Sequence, residues 1–162
     1  MTIYNLTTLL KSFVSTNRLA KSKQFRFCLV SGLEGMEEAL SSMLNTTAFC
    51  CLFDNASGYV ETDNTPHTRR VHTVALALRH KADDMAARQQ ALEVLRELHR
   101  QLGSLILKEQ TRLREDMQYI EPRITMQETS QYLIPGTALC LMQIAVTHYT
   151  DLSYNENEWD NQ

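Results

Sequence analysis

The chain has 162 residues, 43% apolar and 22% charged, and its 16 basic and 19 acidic side chains leave a formal charge of −3. That length suits one domain around a single core, and the slight acidic excess argues against a general binder of phosphate backbones. The longest hydrophobic stretch, Tyr132 to Val146, is broken by Pro135-Gly136 and Gln143 and is too short to cross a bilayer.

The opening Met1-Thr-Ile-Tyr-Asn-Leu has no basic region and no long apolar run, so no signal peptide is expected and the chain reads as a soluble intracellular product. Ile3, Leu6, Leu10, Phe13 and Val14 recur at helical spacing, which predicts a short amphipathic helix over Ile3 to Asn17. Beyond Lys21-Ser-Lys-Gln, the residues Phe25, Phe27 and Leu29 alternate with Arg26 and Cys28, the period of a strand. Helical spacing returns at Leu33, Met36, Leu40 and Met43, predicting a helix over Gly32 to Leu44. Ser31 and Glu34 have the spacing of a capping box, and Glu37 and Glu38 complement the helix dipole. The run Ala48-Phe-Cys-Cys-Leu-Phe53 reads as a buried strand within Thr47 to Phe53. Asn55 to Thr68 is polar and punctuated by Gly58 and Pro66, so it is expected to be mainly a long exposed loop, with room for a short strand at Tyr59-Val60.

Arg69 to His80 is the clearest strand, with Val74, Leu76 and Leu78 on one face and Val71, Thr73, Ala75 and Ala77 on the other. Asp83 or Asp84 then caps a long helix, Asp84 to Gln110. Leu92, Val94, Leu95, Leu98, Leu102, Leu105 and Ile106 fall on one arc of it, broad enough to cover a sheet. Gly103 borders that stripe, where it would permit a close neighbour or a bend. Leu113, Met117 and Ile120 are expected in a looser helical extension. Ile124 to Ile134 and Thr137 to Tyr149 read as two strands of a hairpin joined at Pro135-Gly136. Asp151 to Gln162 carries four acidic residues and no basic one, and is expected to be a mobile tail. The expected architecture is α+β: a single domain over residues 1–150, with a mixed or antiparallel sheet, one long amphipathic helix packed on it and shorter N-terminal helices.

Side-chain chemistry points to no enzyme. Cys28, Cys50, Cys51 and Cys140 lie in strand-like segments with no CxxC spacing, which suits small buried side chains in a reducing compartment. His72 and His80, on one strand face, would stand about 26 Å apart, too far to share a metal. No serine elbow and no phosphate-binding glycine loop is found. The expectation is therefore no catalytic residue, no metal and no cofactor. The local basic patch is His67-Thr-Arg-Arg-Val-His72. A solvated strand end is favoured there over nucleic-acid binding, whereas an acidic protein surface is an even match. The acidic tail could pair with this patch between copies, making assembly salt-sensitive.

The order of these elements resembles the tail terminator and related neck (head–tail joining) proteins of long-tailed bacteriophages. The matching stretches are Ala48 to Phe53, Arg69 to His80, the helix from Asp83-Asp-Met-Ala-Ala-Arg88 onward, and Thr137 to Tyr149; with their connections they extend over roughly residues 3–150. The segment Phe25 to Leu44 departs from the simplest form of that family. The resemblance is one of element pattern, with no invariant site residue to carry over. It implies a structural subunit of a homo-oligomeric ring, typically of six, in the virion tail or neck, made in the bacterial host cytoplasm. It also implies contacts with a tail tube protein and a head-completion or neck protein, no membrane, and nucleic acid only as DNA passing through the lumen. A ring subunit needs exposed loops and strand edges. On that ground the candidate contacts are Asn55, Ser57, Tyr59, His67, Arg69 and Arg70 in the polar segment, with Pro135 and Gly136 at the hairpin turn. The alternative reading is a small intracellular ligand-binding or regulatory module with a ferredoxin-like core.

Overall fold

The computed structural model describes residues 4–63 and 65–159. Its centre is a six-stranded mixed sheet in the order β1-β2-β3-β6-β4, with β5 also pairing β6. The strands are β1 (Phe25–Val30), β2 (Ala48–Glu61), β3 (His67–Arg79), β4 (Gln118–Ile120), β5 (Thr125–Glu128) and β6 (Thr137–Tyr149). β1 runs parallel to β2, and every other pairing is antiparallel. The helices are α1 (Leu6–Thr16), α2 (Arg18–Ser22), α3 (Gly32–Ser42) and α4 (Met85–Glu115).

The two faces of the sheet bury different helices because side chains alternate along each strand. On one face Ala48, Cys50, Leu52, Val74, Leu76, Cys140, Met142, Ile144 and Val146 meet α1 and α4. On the other, Cys28, Phe49, Cys51, Ala75, Ala77 and Leu139 meet Met36 and Leu40 of α3. The adjacent Cys50 and Cys51 thus enter opposite cores. α4 runs back along β3 and β6, and its 31 residues give it a length of about 46 Å, close to that of a 13-residue strand. Asp84 accepts a hydrogen bond from Ala87 N at 2.9 Å and caps it. Leu95, Leu98 and Leu102 are fully buried. Each is worth about 1.5–3 kcal/mol in area removed from water, before the entropy of ordering the helix is set against it.

Several expectations change. α1 begins at Leu6 behind the Asn5 cap; Ile3 lies outside the described residues. Asn17 ends α1 and starts the unforeseen α2, accepting from Ala20 N at 2.9 Å while donating to Gln101 of α4 at 2.6 Å. Ser31 sits at the cap position of α3 but its side chain makes no capping bond, so no capping box forms. α4 reaches Glu115 and includes Leu113, but Met117 adopts a φ of 53° and Ile120 belongs to β4. The left-handed turn at Met117 stops the helix and returns the chain to the sheet. The predicted strand Ile124 to Ile134 shrinks to β5, because its remaining residues form a turn held by the buried Arg88, whose guanidinium donates to Thr137 O at 3.1 Å and to Thr129 O. Gly103 neither touches a neighbour nor makes room for one: a Cβ placed there has no heavy atom within 4 Å. Finally, β1 and β2 are direct neighbours, whereas a ferredoxin-like split βαβ unit would place a strand between them.

Candidate functional site

The polar segment from Asn55 to Thr68 is not a loop. β2 continues to Glu61 and pairs with β3 from His67, with Ala56 opposite His72, Gly58 opposite Arg70 and Tyr59 opposite Arg69. A register shift between Leu52 and Ala56 bends the pair away from the body, and Asn55 lies within it. Asp54 to Val60 are all exposed, because β1 ends at Val30, opposite Phe53, and no helix covers β2 beyond it. The result is a protruding arm, backed along β3 by β6 as far as Tyr149. Its sequence alternates poorly because both faces of its outer strand meet solvent. Gly58 is needed there: a Cβ would stand 1.9 Å from Arg69 O.

One face of the arm carries Ser57, Tyr59, His67 and Arg69. Arg69 donates to Glu121 in a bidentate pair, Nε to Oε1 and Nη2 to Oε2 at 2.9 Å, and its Cζ lies 5.9 Å from the Tyr59 ring centre. Tyr59 meets His67 edge-on at 6.2 Å. Glu121 holds the Arg69 guanidinium above its ordinary pKa, and Arg69 in turn holds Glu121 below the usual carboxylate range. This pair is a structural brace between β3 and the segment after β4. Sequence reasoning missed Glu121, which lies more than fifty positions from its partner.

The opposite face carries Arg70, His72 and His148. His148 lies opposite Thr68, and Arg70 lies opposite Val146. Burial first, and then the charge of Arg70, lower the pKa of both histidines, so all three groups share one electrostatic neighbourhood. Arg70 is exposed and bonds no carboxylate among the described residues. A groove of about 510 Å³ lies beside it, lined in part by Ala56, Gly58, Val60 and His72.

Pro135 and Gly136 are not part of this arrangement. They precede β6 at the end away from the arm tip, about 40 Å from Tyr149 along the strand. Gly136 has a φ of 69° and its carbonyl accepts from His80 N at 2.9 Å, closing the turn. The thiols are all free and buried, and burial pushes Cys51 and Cys140 up to about 12. They are core side chains, poorly suited to act as nucleophiles. Among the described residues no cluster of His, Cys, Asp or Glu is arranged to hold a metal, and no helix is long and apolar enough to cross a membrane. A second cavity, about 430 Å³, opens between α1 and α4 and is lined by Tyr4, Leu9, Leu105 and Leu113 with Glu109 and Arg112. The Tyr4 hydroxyl there is raised to about 12, chiefly by burial. Comparison with models of known families and with curated proteins finds no match to either.

Proposed function

We propose that this chain is a structural subunit that assembles with copies of itself into a ring, of the kind formed by phage tail terminator and neck proteins. The observation that supports this reading is the arm: a strand pair that runs on beyond the helix-covered body, backed by β6 on one side, with its outer strand exposed on both faces and its edge bare. The outer strand of the arm, Asp54 to Val60, buries no residue in its own domain. Its unpaired backbone groups favour pairing with another chain. The rest of the fold supplies a stiff base, with α4 braced to β5 by the bidentate Arg96–Glu128 pair at 2.6 and 2.9 Å. In the proposed ring, the arm of each subunit lies on its neighbour, and the lumen admits DNA without base contacts.

Light scattering coupled to size exclusion, followed by electron microscopy of negatively stained fractions, tests the reading. Closed rings, or assembly that grows with concentration or on addition of tail tube protein, are the expected result. A strict monomer under all these conditions refutes it. A ligand-binding module is the second reading, favoured by the cavity between α1 and α4. Soaking or thermal-shift screening that finds a small molecule there in a monomer or dimer would favour it instead.

A further inference from the structure

We infer that the C-terminal segment Asp151–Trp159 of one copy docks on the Arg70 face of the arm of a second copy. The inference rests on the ring reading above and specifies one of its contacts.

The segment has the chemistry of a ligand that lacks its site. All nine residues are exposed, and the last ties between this end of the chain and the body are Thr150 N to Pro66 O at 3.0 Å and the Thr68–Thr150 hydroxyl pair at 2.6 Å. Asp151, Glu156 and Glu158 are its charges, with no Lys, Arg or His anywhere after Thr150. Leu152, Tyr154 and Trp159 are 44, 72 and 63% exposed. The segment is not featureless: Asp151 accepts from Ser153 N at 2.9 Å, Asn155 caps a 3-10 turn over Glu156–Glu158, and the Tyr154 and Trp159 rings stack at 5.8 Å. Aromatic rings and carboxylates are therefore pre-arranged on one short turn, at little cost in ordering on docking.

The arm offers the complement. Among the described residues Arg70 bonds no carboxylate, His72 and His148 lie within its field, and the groove beside it is lined by Gly58, Val60 and His72 together with one acid, Asp54. An acid from the tail would pair with Arg70, and an aromatic ring would cover Val60 or stack on the guanidinium. The other arginine of the patch is already satisfied by Glu121, so Arg70 is the cation left to recognise an acidic partner. Among the described residues, no hydrogen bond or ion pair joins the segment to Arg70, His72 or His148 of its own chain. That is the expected arrangement for a contact made between copies.

Trp159 is the only tryptophan, so its emission reports the docking without a label. In the full chain, the emission is expected to shift to the blue as concentration rises, in step with mass by light scattering, and to revert in high salt. Arg70→Glu is expected to raise the concentration for half-assembly by roughly tenfold, with an unchanged melting temperature because Arg70 is exposed. Glu156→Lys with Glu158→Lys should do the same, and combining the tail and arm reversals should recover assembly. Assembly without any Trp159 shift, or undiminished in Arg70→Glu, overturns the docking and leaves the ring reading standing. A shift independent of concentration places the tail on its own arm and also overturns it. A chain that stays monomeric with tail tube protein present removes both.

Discussion

Gly103→Ala is a sharp test of the helix reading, because the structure fixes every contribution but one. Gly103 lies well inside α4, and a Cβ built there meets no heavy atom within 4 Å. The new methyl therefore gains no packing and meets no obstacle. What remains is the backbone: glycine loses more freedom on entering a helix than alanine, by about 0.5–1 kcal/mol. For a chain of this size each kcal/mol moves the melting temperature by about 2–4 °C, so the variant should melt about 1–4 °C higher. Far-UV circular dichroism on heating reads the shift, and urea titration should show a higher midpoint at unchanged slope. Both belong at low protein concentration, where copies are apart. An unchanged or lower midpoint refutes the reasoning, since it requires either a neighbour at Gly103 or a bend that alanine resists.

Two other perturbations follow from the same geometry. Gly58→Ala places a Cβ 1.9 Å from Arg69 O, so the arm strands must part; the expected cost is about 1–3 kcal/mol, confined to the arm. Hydrogen exchange should lose protection over residues 67–72 and keep it in α4, and unaltered arm protection would contradict this. The acid limb of stability depends on Glu128 and Glu121, which Arg96 and Arg69 hold below the ordinary value of 4.5. Between the folded and ordinary values the unfolded chain binds more protons, so their contribution is complete above 4.5 and is lost as pH falls through the folded values. Glu128→Gln should flatten the fall of the urea midpoint with acid, modestly because both side chains are partly solvated, and an equally steep fall would count against the brace.

What could be read from the residues tracks how much apolar surface each element buries. α4 was legible because Leu92, Leu95, Leu98, Leu102 and Ile106 face the sheet, and the period of a helix is written into them. The proximal half of β3 was legible for the same reason, with its two faces correctly divided between Val74, Leu76 and Leu78 and the alanines. The arm was not, because Asp54 to Val60 bury neither face and pairing with β3 is a backbone matter that side-chain alternation does not record. β4 escaped notice because three residues are too few to show a period. Arg88 left a signal that was overlooked: it stands one turn before Leu92 on the buried arc, and a charge in that position must find partners, here two carbonyl oxygens. Six of the eight candidate contacts came together on the arm, while Pro135 and Gly136 marked a tight turn at the far end. A Pro-Gly pair identifies a turn, but says nothing of which end of a strand it closes.

The interior place of β6 has a consequence for synthesis. Among the described residues it is the last strand in chain order, yet it sits between β3 and the short edge strands and supplies Ala138, Cys140, Met142, Ile144 and Val146 to the main core. Until it leaves the ribosome, β3 has an open flank and α4 has no floor under its distal half. The nascent polypeptide must therefore wait, with a strand that readily recruits others, until β6 has emerged. Stalled or prematurely released products lacking β6 should be sticky and short-lived, which would keep partial subunits out of any larger particle.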